Sequence, residues 1–282
     1  MVILHPGRDD LPTALRHRAH WTRLGAAATP VMLVHPDGVP SGGTGAAGGA
    51  ADAERLKPAP VVVWMHGRTV SKEIDPGRYL RWMRSGIAAC AVDLPGHGER
   101  FDAALQAPEA TLEVVERMVH EIDGLLAALA ERPEFDLERV AIGGMSAGGM
   151  AALARLCRAH PFCAASVEAT TGSWMWQRER AMFHPEIVAR LNPIDHLDGW
   201  REIPLQAIHA RYDEWVNVRG QEEFLHAVRR RYRKPELVEL VAFERTGAPF
   251  EHAGFGRMSA PAKDEQLRFL KRWLGPERAV PR

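Results

Sequence analysis

Cysteine is scarce in this chain, with three in 282 residues: Cys90, Cys157 and Cys163. Three cannot all pair, and their spacing matches no metal or redox motif. Cys90 lies in an apolar run, Ala88-Ala89-Cys90-Ala91-Val92, where a buried reduced thiol is the ordinary occupant. An excess of one charge is also missing: 36 basic side chains face 36 acidic ones, so no basic stripe speaks for nucleic acid. Long apolar runs are lacking as well. Met1-Val2-Ile3-Leu4 is too short for a signal peptide, and nowhere do the roughly 18 consecutive apolar residues that cross a membrane occur. The expectation is a soluble cytoplasmic protein with neither nucleic-acid nor membrane partners. A phosphate loop is excluded too. Segment 37–60 holds the run Ser41-Gly42-Gly43-Thr44-Gly45, but no Gly-Lys-Ser/Thr ending follows and no strand leads directly in. That composition buries too little apolar surface to order itself, which predicts a flexible surface loop.

What the chain does have is alternation. Val61-Val62-Val63-Trp64-Met65 is continuously apolar, as a central parallel strand covered on both faces requires. A second such strand runs from Gly86 to Val92, with a helix over about 78–84 between the two. Residues 111–131 place Leu112, Val115, Met118, Ile122, Leu125 and Leu129 at helical spacing. Further strands follow at 139–145, 164–167, 205–209 and 237–243, with helices at 218–231 and 261–273. Two short β-like runs, 21–24 and 31–34, stand a hairpin's distance apart ahead of them, and residues 1–20 form a helix or irregular arm. Strands alternating with helices predict one α/β domain built on a doubly wound, mostly parallel sheet. Residues 169–202 break the pattern, with Trp174, Met175, Trp176, Met182, Phe183 and Trp200 among charges and prolines. They predict a small cap over the strand ends, packing against neighbouring helices being the alternative.

The chain is organised around Val140-Ala141-Ile142-Gly143-Gly144-Met145-Ser146-Ala147-Gly148-Gly149-Met150. An apolar run rich in β-branched residues turns tightly at Ser146 and passes at once into a segment of helical composition. Gly144 and Gly148, on either side of the serine, let strand and helix approach without side-chain collisions. Such a turn lifts a serine hydroxyl clear of the sheet and marks Ser146 as a nucleophile.

A serine hydroxyl needs a base within hydrogen-bond reach, itself oriented by a third group, and on such a sheet all three belong at the carboxyl ends of strands. Asp213, in His209-Ala210-Arg211-Tyr212-Asp213, and His252, in Pro249-Phe250-Glu251-His252-Ala253-Gly254, satisfy this in order. Glu168, which ends another strand, is the rival acid, ahead of Asp93. The N–H of Ala147 and that of Arg68, in His66-Gly67-Arg68, are the expected oxyanion donors. The Arg68 side chain is either solvated or meets an anionic substrate group. Met145, Trp174, Trp176, Phe183 and Trp215 are the expected apolar wall of the substrate site.

Taken together, Val61–Gly67, Asp93–Gly98, Gly144–Gly148, Asp213 and His252 resemble the α/β-hydrolase superfamily. Within it the chain is most similar to the dienelactone-hydrolase-like and prolyl-oligopeptidase-like esterases, which carry a similar Asp-x-x-Gly-x-Gly turn and a similar His loop before a closing helix. The resemblance spans about residues 55–275. It implies an eight-stranded sheet with helices on both faces, a Ser-Asp-His triad in that chain order, no cofactor and no metal. Dienelactone hydrolases proper use Cys where this chain has Ser146, which argues against their substrate. Prolyl peptidases carry a large propeller domain that 282 residues leave no room for. The expectation is therefore a serine hydrolase acting on a small-molecule ester of a small or medium acyl group. A peptidase or amidase, a thioesterase, or a ligand-binding protein on a hydrolase scaffold are the alternatives.

Overall fold

The computed structural model describes residues 7–39 and 56–275. The glycine-rich heart of segment 37–60 lies outside them. Strand β1 (Ala19–Leu24) and β2 (Thr29–Val34) form the expected antiparallel hairpin, preceded by a single helical turn, α1 (Thr13–Arg16), which buries Leu15. Then β3 (Ala59–Met65), β4 (Ala88–Val92), β5 (Phe135–Met145), β6 (Ala164–Glu168), β7 (Leu205–Ala210) and β8 (Val238–Phe243) complete an eight-stranded sheet of order β1-β2-β4-β3-β5-β6-β7-β8. Only the β1–β2 and β2–β4 pairings are antiparallel. Every residue of β3, β4, β6 and β7 is buried, which explains why β3 and β4 are apolar without alternation.

Helices cover both faces. On one, α2 (Pro76–Arg84) packs against α1 and against the closing helix α7 (Ser259–Leu274). On the other, α3 (Thr111–Ala130) packs against α4 (Ala147–Leu156) and α5 (Pro185–Leu191), with α6 (Val218–Arg231) against β7 and β8. Local chemistry starts these helices where they begin. Asp75 accepts the Arg78 N–H with Pro76 in the first turn of α2, and Asn217 accepts the Arg219 N–H at the start of α6.

Much of the apolar bulk of 169–202 packs into the core. Trp174, Ile187, Val188 and Leu191 are buried in the same cluster as the sheet, and only Met175 and Trp176 stay substantially exposed. Burying these four residues gains more than spreading them over a polar rim, because each is worth about 1.5–3 kcal/mol inside. Among the described residues no helix is long and apolar enough to cross a membrane.

Register aligns the functional edge. Met65 pairs with Val92 and with Gly144, Met145 with Glu168, and Glu168 with Ile208. The carboxyl ends of β3 to β7 thus finish at one level.

Candidate active site

The turn between β5 and α4 holds Ser146 at φ 52°, ψ −118°, a region that L-residues rarely enter. Close approach makes this possible. A Cβ on Gly148 would lie 2.3 Å from the Met65 carbonyl oxygen, and one on Gly144 2.5 Å from the Gly148 carbonyl carbon. The strained residue is pinned by its backbone: its N–H donates to the Glu168 carbonyl at 2.9 Å, and its carbonyl accepts the Thr170 hydroxyl at 2.8 Å. Sequence reasoning missed Thr170, which carries no motif.

The structure brings Ser146, His252 and Asp213 together. His252 Nε2 lies 3.1 Å from Ser146 Oγ, and its Nδ1 lies 2.8 Å from Asp213 Oδ2. A carboxylate only accepts, so Nδ1 carries the proton and Nε2 is left free to accept the serine O–H. Both His252 and Asp213 are buried. The other carboxylate oxygen, Oδ1, accepts the N–H groups of Trp215 and Val216 at 2.9 and 2.8 Å, which fixes the direction of the acid. His209, on β7, completes this corner. Its Nε2 donates to the Val216 carbonyl at 2.8 Å and lies 3.5 Å from Asp213 Oδ2. Burial lowers its pKa while Asp213 opposes that shift, so it acts as a neutral strut holding the loop after β7 closed. The sequence marks His209 only as a strand residue, one histidine of thirteen.

Glu168 is committed elsewhere. Its carboxylate takes both Arg78 nitrogens, at 2.7 and 2.8 Å, and Gln266 Nε2 adds a contact at 3.3 Å. Burial would lower the Arg78 pKa, but Glu168 and then Asp75 outweigh it and hold the guanidinium above its ordinary value; the ring of Trp64 lies beneath, 4.2 Å away. Replacing one partner of such a pair strands the other charge. Glu168→Gln is expected to cost about 3 kcal/mol, the low end of the usual range because Asp75 remains beside Arg78. A lowered midpoint in urea denaturation, with kcat of the folded protein nearly unchanged, is the expected result.

Across Ser146 from the acid lies the loop after β3. A Cβ on Gly67 would sit 3.5 Å from Ser146 Cβ. His66 sets the peptide that follows: its Nε2 accepts the Leu94 N–H at 3.1 Å, so its Nδ1–H donates to the Gly67 carbonyl at 2.5 Å. With that carbonyl turned toward the imidazole, the trans peptide aims the Arg68 N–H the opposite way, and the N–H meets no acceptor among the described residues. Ala147 is the first residue of α4, where backbone N–H groups have no intrahelical partner. The Arg68 guanidinium is half-buried and donates through one terminal nitrogen to the Gln106 carbonyl.

Of the expected wall residues, Trp174 is corrected. It is 0 % exposed with its Nε1 bonded to the Thr171 carbonyl, a core residue closed to any ligand. Met145 and Phe183 are half-buried against the core. Trp176 is exposed and donates to Glu223 at 2.8 Å, and Trp215 stands beside His252. A cavity of about 280 Å³ opens next to the β3 loop, lined by Thr69, Val70, Ser71, His97 and Phe101.

The sheet order, the strained serine at the β5–α4 turn and its hydrogen-bonded partners define a hydrolase architecture. Residues 61–279 match the Alpha/beta hydrolase family, and the chain belongs to it. Among curated proteins it is similar to the esterase YjfP of Escherichia coli, 28% identical over 177 residues that cover 56% of this chain and 70% of that one. The fold is shared with TT1662 from Thermus thermophilus at 20% identity and TM-score 0.67, over 91% of this chain and 98% of that one. It is shared also with a puromycin-hydrolyzing peptidase from Mycobacterium tuberculosis at 21% identity and TM-score 0.66, over 96% of this chain but 42% of the peptidase. The chain thus spans less than half that peptidase's length.

Proposed function

We propose that this alpha/beta hydrolase is a serine esterase acting on small-molecule esters of a small or medium acyl group. The observation that carries the reading is the unbroken hydrogen-bond path from Asp213 through His252 to Ser146 Oγ, on a serine whose backbone is held in a strained turn. As Ser146 Oγ attacks the ester carbonyl, His252 Nε2 takes its proton and Asp213 stabilises the imidazolium. The carbonyl oxygen becomes an anion facing the N–H groups of Ala147 and Arg68, each such donor lowering the barrier by roughly 3–4 kcal/mol. His252 then protonates the departing alkoxide. Water, deprotonated by the same imidazole, attacks the acyl-serine and releases the acid.

Similarity to an esterase supports the ester over the amide. An amide demands more of the same machinery, because the leaving amine departs only once protonated. Hydrolysis of p-nitrophenyl esters of increasing acyl length, run beside aminoacyl p-nitroanilides, tests the reading. Turnover of the shorter esters with kcat/KM well above that of any anilide is the expected result; preferential cleavage of anilides would make the protein a peptidase.

A further inference from the structure

Hydrogen bonds alone leave one degree of freedom in the His252 ring. Asp213 holds Nδ1 and Ser146 meets Nε2, but two contacts at the ends of an imidazole define an axis and permit tilt about it. A third contact comes from Trp215. Its indole centroid lies 4.9 Å from that of the imidazole, with 40° between the planes. The ring of Phe250 stacks on the same indole, 5.0 Å away at 26°. Backbone bonds make the arrangement rigid. Trp215 N–H donates to Asp213 Oδ1, and Glu214 N–H donates to the Phe250 carbonyl at 3.0 Å. Phe250 and Glu251 both sit at positive φ, 56° and 50°, a conformation that persists only where surroundings over-determine it. The stacked indole is part of those surroundings.

We propose that Trp215 is a positioning residue for the base. Its N–H aims the acid, its indole fixes the plane of the imidazole, and through Phe250 it latches the loop after β8 to the loop after β7. This rests on the catalytic reading of Ser146, His252 and Asp213. Trp215 is 41 % exposed and Phe250 52 %, so the rival role is a platform for the leaving group alone. The two roles separate in time. His252 acts in both acylation and deacylation, whereas the leaving group has departed before deacylation begins.

The test compares wild type, Trp215→Phe and Trp215→Ala by stopped flow with two esters of one acid, one carrying a p-nitrophenyl and one a small alkyl leaving group. Trp215→Ala is expected to slow acylation and deacylation alike by about tenfold, the worth of an ordinary aromatic pair, with KM little changed. Trp215→Phe is expected to restore most of both rates. Alongside, the low-field proton resonance of His252 Nδ1–H is expected in wild type and Trp215→Phe and to broaden by exchange in Trp215→Ala. Unchanged deacylation, with acylation falling only for the aryl ester, would make Trp215 a leaving-group platform and overturn the proposal. So would an Nδ1–H resonance identical in all three proteins. Failure of the esterase reading looks different: wild type would neither turn over esters nor be labelled at Ser146 by a fluorophosphonate, while the resonance would still report whether the indole holds the imidazole.

Discussion

Ser146→Ala is expected to reduce kcat for the preferred p-nitrophenyl ester by about a million-fold, the loss seen when a triad nucleophile is removed. The fold should survive intact, because the hydroxyl's only side-chain partner among the described residues is His252 and alanine inherits the same backbone strain. A small residual rate above water is expected, supplied by the oxyanion donors and substrate binding. Steady-state kinetics with a thermal melt on the same samples reads both quantities. A variant that keeps more than a few per cent of the activity would remove Ser146 from the mechanism.

The second large effect falls on the acid. Asp213→Asn should lower kcat by about ten-thousandfold with KM nearly constant. The amide oxygen can go on accepting the Trp215 and Val216 N–H groups now bound by Oδ1. That leaves the amide nitrogen facing His252 Nδ1. A donor there reverses the tautomer: Nδ1 becomes the acceptor, Nε2 carries the proton, and the base can no longer take one from Ser146. Equal kcat loss in Glu168→Gln without a loss of stability would instead assign the acid to Glu168.

That contest shows what the sequence could and could not decide. Asp213 and Glu168 both follow strands and both belong at the functional edge. What separates them is Arg78, distant in sequence on α2, whose guanidinium occupies the Glu168 carboxylate. No local signal in the sequence announces a pairing that exists only after α2 packs onto the sheet. The strands themselves were legible, because burial on both faces leaves continuous apolar runs, and Ser146 was legible because the glycines around it answer a steric demand of the turn. The two tryptophans of Ser173-Trp174-Met175-Trp176 were not. They share a short turn without amphipathic period, and Trp174 goes into the core while Trp176 faces Glu223. His66 and His209 escaped for a similar reason. Their value lies in bonds to the Gly67 and Val216 carbonyls, which depend on loop conformations rather than on composition.

The three site residues are anchored with unequal firmness. Ser146 rises from β5, flanked by β3 and β6 in the middle of the sheet, whereas His252 hangs on a loop beyond β8, the edge strand, most of whose residues are only half-buried. Proteins open locally from their least buried units first. Warming should therefore detach the base while the sheet, and the serine on it, remain in place. Thermal tolerance of the site and thermal tolerance of the chain become two separate properties, the first governed by how the one loop between β8 and α7 adheres to the body and the second by the apolar interior.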